Sequence, residues 1–149
     1  MKFNYEIVID AGLERVWEAF DEPRNLARWQ QNLQARRQIS GEPGQPGSSV
    51  ELVYAEKGRD VLLTQTITER RAPDFLAATY EFANGSALIF SHFATIDGHT
   101  TRWTCWCNFR FGGAMRFLAL FMVGAIRRRT EGDMERFKLM VESDAAGGN

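Results

Sequence analysis

The stretch Thr100-Thr101-Arg102-Trp103-Thr104-Cys105-Trp106-Cys107-Asn108-Phe109-Arg110-Phe111 is followed by Gly112-Gly113. Then comes Ala114-Met115-Arg116-Phe117-Leu118-Ala119-Leu120-Phe121-Met122-Val123, and this passage decides the reading of the chain. In its first part Trp103, Cys105, Cys107, Phe109 and Phe111 alternate with Arg102, Thr104, Trp106, Asn108 and Arg110. A period of two predicts a strand, with the apolar set facing inward. From Gly113 to about Ser143 the period becomes helical. The first half of that segment is apolar almost all round. The second half carries Met134, Phe137, Met140 and Val141 on one stripe. A helix of about 30 residues is roughly 45 Å long, enough to lie across a whole sheet.

Upstream, the same period of two predicts strands near Gln34–Ser40, Ser49–Glu56, Asp60–Arg70, Phe75–Asn84 and Ser86–Ile96. The separators Lys57-Gly58-Arg59, Ala72-Pro73-Asp74, Asn84-Gly85 and Asp97-Gly98-His99 carry turn chemistry. Short connections between consecutive strands require an antiparallel meander. At the start, Phe3, Tyr5, Ile7 and Ile9 alternate as a first strand. Leu13, Val16, Trp17 and Phe20 then fall at offsets 0, 3, 4 and 7, the stripe of an amphipathic helix. Asp21 is placed to cap a second short helix with Pro23 in its first turn, and Leu26 and Trp29 mark its inner face. The segment Gly41–Ser48 is a loop, and Ala145–Asn149 reads as a frayed, disordered tail behind one domain of residues 1–144.

The alternation assigns the inner rows. They are Val50, Leu52 and Tyr54; Leu63, Gln65 and Ile67; Leu76, Ala78, Tyr80 and Phe82; and Leu88, Phe90, His92, Ala94 and Ile96. Trp106 is assigned to the outer face.

The chain has 149 residues, 44% hydrophobic and 25% charged, which places it among globular domains and excludes disorder. A net charge of -1 argues against nucleic-acid binding through a basic surface. No signal peptide is visible, and the longest apolar run, Phe117–Ile126, is about half the ~20 residues of a membrane span. A cytoplasmic protein is the expectation. Cys105 and Cys107 have neither C-x-x-C spacing nor a paired His motif, so no metal is expected and buried free thiols are. No phosphate-binding glycine pattern or catalytic triad order is present, and no cofactor is expected.

His92 is the weak catalytic candidate: a histidine beside a pocket can orient a ligand oxygen or act as a base. Gln65, Tyr54 and Tyr80 can add hydrogen bonds. Arg127-Arg128-Arg129 follows the apolar half of the long helix, and is available to a ligand carboxylate or for transient contact with an anionic membrane surface. Glu131, Asp133 and Glu135 are close enough to balance it.

The order of elements is strand, two short helices, six strands and one long helix. The chain resembles the START/Bet v 1-like (SRPBCC) superfamily, the polyketide cyclase/dehydrase and lipid transport group. The residues that carry the likeness are Val16-Trp17 and Phe20, Trp29, Gly47-Ser48-Ser49-Val50, Ile67-Thr68-Glu69-Arg70, Asp97–Trp103 and Phe137–Glu142. It covers about residues 3 to 142. The resemblance implies an α+β helix-grip fold, in which a seven-stranded curved antiparallel sheet wraps around the long C-terminal helix. It also implies a cavity for a hydrophobic small molecule such as a lipid, quinone or polyketide. An empty apolar cavity of roughly 300 Å³, at about 24 cal/mol per Å³, would cost about 7 kcal/mol. That rivals a net stability of ~5–15 kcal/mol, so a real pocket would be stabilised by an apolar guest. The ligand set expected there is Trp29, Tyr54, Gln65, Tyr80, Phe82, Phe90, His92, Trp103, Cys105, Phe117 and Phe121. The alternatives are a cyclase, aromatase or dehydratase, and a protein-interaction module that uses outward Trp106. The ligand and the oligomeric state are left open.

Overall fold

The computed structural model describes residues 1–147. Strand β1 (Lys2–Ile9) leads into helix α1 (Leu13–Asp21), whose Val16 and Trp17 are buried as their spacing requires. A short 3-10 turn, Pro23–Asn25, runs into helix α2 (Leu26–Trp29). Glu22, rather than Asp21, caps this segment. Pro23 takes the first helical position, so Glu22 stands in the capping place and accepts from the Arg24 N–H at 3.4 Å. Asp21 instead accepts from the Arg70 guanidinium at 2.6 Å and ties α1 to the sheet.

Six strands follow: β2 (Leu33–Ser40), β3 (Ser49–Glu56), β4 (Arg59–Arg71), β5 (Phe75–Phe82), β6 (Gly85–Asp97) and β7 (Thr100–Phe111). Their bounds fall within two residues of those expected. They form one antiparallel sheet in the order β1-β7-β6-β5-β4-β3-β2. Helix α3 (Met115–Gly147) closes the chain. The tail expected from Ala145 is helical as far as Gly147, and residues 148–149 lie outside the described residues.

Two turns show different uses of glycine. Lys57 and Gly58 both have positive φ, 50° and 78°, as a two-residue hairpin turn of matching twist requires. Gly85 is the first residue of β6 rather than part of the turn. A Cβ there would meet the Arg110 carbonyl oxygen at 2.2 Å, so only glycine lets β7 approach.

One inner row is corrected. On β6 the inward residues are Ala87, Ile89, Ser91 and Phe93, not Leu88, Phe90, His92, Ala94 and Ile96. The cause is a bulge. Asp97 pairs with Thr100, but Thr95 pairs with Thr101, which leaves Ile96 without a partner. An unbroken hairpin would set Ala94 opposite Trp103. The bulge sets Phe93 there instead, and every residue above it changes face.

The core is aromatic and sits under the C-terminal half of α3. Phe93 and Phe137 are fully buried, and Trp103 is nearly so. Trp103 and Phe137 meet at a centroid distance of 5.0 Å, and the cluster continues to Phe20 at 4.9 Å (Phe20–Phe93), Trp29 at 5.3 Å (Trp29–Phe137) and Trp17 at 5.9 Å (Trp17–Phe93). These are edge-on contacts of the kind ring quadrupoles favour.

The Gly85 contact gives a direct test. Gly85→Ala forces backbone atoms of β6 and β7 apart, and stability should fall by about 1–3 kcal/mol in urea unfolding. An unchanged midpoint would mean that β7 does not approach this closely.

Candidate ligand-binding cavity

Away from that aromatic cluster the inward side chains become small. Successive rows across β5, β6 and β7 are Leu76, Ser91 and Cys105; then Ala78, Ile89 and Cys107; then Tyr80, Ala87 and Phe109. Alanine, serine and cysteine cannot fill the distance to α3. A cavity of about 750 Å³ remains between the sheet and the N-terminal half of that helix. Met122 and Ile126 of α3 line its helical side, with Leu63 and Ile67 of β4 opposite.

Of the residues expected at a ligand, Trp29, Tyr54, Gln65, Tyr80, Phe82, Trp103 and Cys105 line this cavity. Phe90 and His92 do not, because the β6 bulge turns them to the convex face. There Phe90 stacks with Phe75 at 6.1 Å between centroids, and His92 stands opposite Thr104. Trp106 is on this outer face, as expected, and 39% exposed. Phe117 and Phe121 also miss the cavity: they are 72% and 85% exposed. Phe117 lies nine residues before Ile126, half a turn round the helix from that lining residue.

Among the cavity residues that were not expected are Ser91, Ile89, Met122, Ile126, Thr130 and Asp133. A signal for the helical ones exists. Counting back from Phe137 in steps of three or four reaches Asp133, Thr130, Ile126 and Met122, so the buried stripe continues into the apolar half. No such signal exists for Ser91, whose face depends on the bulge.

The polar groups fall into two sets. At the mouth, the Arg129 guanidinium lies 4.9 Å from the Tyr54 ring centroid and pairs with Glu56. Its neighbours Arg127 and Arg128 face away, so the three arginines do not act as one patch; Arg127 reaches Glu131 at 3.3 Å. Asp133 accepts from the Gln31 N–H at 3.4 Å and pairs with Arg136. Burial pushes its carboxyl above the usual range, and Arg136 opposes that push. Tyr54 donates to Gln30 Oε1.

Deeper in, Gln65 Nε2 donates to the Tyr80 hydroxyl oxygen at 2.6 Å, which leaves the Tyr80 O–H itself to donate. Trp103 Nε1 is buried with no partner among the described residues. Burial holds Tyr80 neutral, with its pKa pushed up to about 12, and raises Tyr54 also. Cys105 and Cys107 are free, their sulfurs 3.8 Å apart. The Cys107 thiol is pushed up by the hydrogen bond it shares with Cys105, and by burial. The hydrogen bond with Cys107 draws the Cys105 thiol down. The inner wall thus offers the neutral Tyr80 hydroxyl as a donor toward the hollow.

A profile for polyketide cyclase / dehydrase and lipid transport proteins matches residues 1–142. The chain belongs to this family. Its structure is similar to the Zhui aromatase/cyclase from Streptomyces sp. R1128, with a TM-score of 0.82 and 16% identity over 97% of this chain and 95% of that one. It is also similar to Ara h 8.0201, with a TM-score of 0.74 and 13% identity over 96% and 98% of the two chains. For TTHA0849 from Thermus thermophilus the TM-score is 0.74, with 12% identity over 100% and 99%. The fold is thus the Bet v 1-like helix-grip fold. No curated protein sequence matches the chain. Among the described residues no helix is long and apolar enough to cross a membrane.

The raised Tyr80 pKa has a consequence at high pH. An acid whose folded pKa exceeds its unfolded one stabilises the fold below the unfolded value, near 10. That stability is lost as pH climbs through the folded value of about 12. Two units correspond to about 2–3 kcal/mol. Urea midpoints should fall between pH 10 and 12 in the wild type and fall less steeply in Tyr80→Phe. Equal slopes would mean that Tyr80 ionises freely.

Proposed function

We propose that the protein binds a largely apolar small molecule that carries acceptor oxygens, with the carbonyls of a quinone or polyketide-like compound as the best fit. A lipid with a polar acceptor end is a variant of the same chemistry. The observation that carries this reading is the pairing of an apolar hollow with the Tyr80 hydroxyl, which accepts from Gln65 and keeps its own O–H to donate to a guest. A buried donor without a partner costs about 1–3 kcal/mol, which an acceptor oxygen on the guest offsets. The family description, with its cyclases and lipid transporters, supports a hydrophobic guest.

Binding is favoured over catalysis by the state of the ionisable groups. His92 stands on the other side of the sheet. Among the charged groups that line the cavity, Arg129, Asp133 and Arg70 are each held by a partner, Glu56, Arg136 and Asp21. On the inner wall, Gln65, Tyr80 and Ser91 are suited to orienting a carbonyl, not to moving protons between groups of matched pKa.

The test is native mass spectrometry of the purified protein, followed by thermal melts with naphthoquinones and aromatic polyketides. Saturation at 100 times Kd adds about 2.7 kcal/mol, which raises Tm by ~5–10 °C for a chain of this size. Tyr80→Phe keeps the ring but removes the O–H, and should weaken carbonyl ligands by about 2–10-fold while leaving a plain hydrocarbon unaffected. Ala78→Phe fills the hollow and should abolish the Tm shift. The reading is lost if no carbonyl compound raises Tm, or if Tyr80→Phe treats carbonyl and hydrocarbon guests alike.

A further inference from the structure

The N-terminal half of α3 has two faces. Met122 and Ile126 look into the cavity. The opposite side is also apolar, and it looks at solvent: Phe117 is 72% exposed, Leu118 50%, Leu120 83% and Phe121 85%. Two phenylalanines and two leucines bared together within two turns form a patch that a protein surface seldom leaves uncovered. Nothing among the described residues covers it.

The sequence that carries this patch holds charge of one sign. From His99 to Thr130 the sequence contains no Asp or Glu, and it contains Arg102, Arg110, Arg116, Arg127, Arg128 and Arg129. Arg102, Arg127 and Arg129 are engaged with Glu6, Glu131 and Glu56. Arg110, Arg116 and Arg128 form no ion pair among the described residues. Arg116 and Arg128 are twelve residues apart, roughly 18 Å along the axis. At about 100° per residue Arg116 lies to one side of the exposed stripe of Phe117, Leu120 and Phe121, and Arg128 continues that stripe about two turns further on. The Arg116 guanidinium lies 5.9 Å from the Phe117 ring centroid.

This charge pattern selects the partner. A second copy of the chain, joined through the same helix about a two-fold axis, would set Arg116 of one protomer beside Arg127 and Arg128 of the other. Like charges would then rim an apolar contact. The patch calls for an apolar interior bordered by anions, and the acyl-to-headgroup boundary of an anionic bilayer offers both. We propose that residues 115–128 of α3 dock the protein onto anionic membrane surfaces, with Phe117, Leu120 and Phe121 in the acyl boundary and Arg116 and Arg128 at the phosphates. Because the same turns roof the cavity, docking holds the hollow within about one helix diameter, ~10 Å, of the lipid. The proposal does not depend on what the cavity holds: a protein with an empty or filled hollow docks alike.

Vesicle flotation tests it, with the full chain and phosphatidylcholine vesicles containing or lacking about 30% phosphatidylglycerol, enough anionic lipid to set a surface potential. The expected result is flotation with the anionic vesicles at low salt, at least about ten times weaker with neutral ones, and reduced by roughly 0.5 M salt, which screens the arginines. Phe117→Ser with Phe121→Ser should cut binding at least about tenfold with Tm unchanged, since both side chains are already in water. Arg116→Gln with Arg128→Gln should erase the preference for anionic lipid. Failure of the wild type to float would overturn the proposal. So would flotation that the two serines leave intact. A dimer in analytical ultracentrifugation that the serines convert to monomer, without vesicle binding, would assign the patch to self-association and equally refute it.

Discussion

The cross-strand pairing of Phe93 with Trp103 is the contact on which the interior depends. It is set by one residue, Ile96, that stands without a partner beside the β6–β7 turn. With that residue absorbed, β6 presents Phe93 to Trp103, and both meet Phe20 in the aromatic cluster, where Trp103 also meets Phe137. The same pairing sends Ser91, Ile89 and Ala87 along the inner wall, beside Cys105, Cys107 and Phe109. Slip the register by one, and His92, Phe90 and Leu88 would fill that space. The solid end and the hollow end of the molecule therefore follow from a single irregularity in a hairpin.

Helix α3 repeats this division along its length. Its C-terminal half buries Met134, Phe137, Met140 and Val141 in the core. Its N-terminal half has few large neighbours across the sheet, so its apolar residues divide between cavity and solvent. An apolar sequence in a helix guarantees burial only where an opposing surface exists to bury it.

Much of this was legible in the residues. The strands, the meander and the long helix follow from periodicity and turn chemistry, and the order of elements led to the helix-grip fold. Four of the five inward rows on β3 to β7 agree with the structure: on β3, β5 and β7 the alternation sets a more apolar face against a more polar one, whereas on β4 adjacent Leu62 and Leu63 leave that contrast weak. β6 offered no such contrast: Leu88, Phe90 and Ile96 on one face compete with Ile89 and Phe93 on the other, and an unsignalled bulge decided between them. Phe117 and Phe121 failed for another reason. On a helix apolar all round, composition does not say which side meets the sheet. That has to be counted back from the buried stripe at Phe137. Asp21 lost its capping place to Glu22 because Pro23, not the first acidic residue, sets where the turn begins.

The open margin beside β1 has a further consequence. A sheet that does not close leaves a border of unpaired main-chain groups, which is a template for another chain to extend. Here side chains of α3 occupy that border: Lys138 Nζ donates to the Val8 carbonyl at 2.8 Å, and Glu142 Oε2 accepts from the Asp10 N–H at 2.8 Å. On the far border, β2 carries Arg36 and Arg37, charges that an added strand would have to accommodate. The helix that roofs the hollow thus also guards the fold against growing into a fibre, so a lesion that frees its last turns would threaten solubility in a crowded cell before it emptied the cavity.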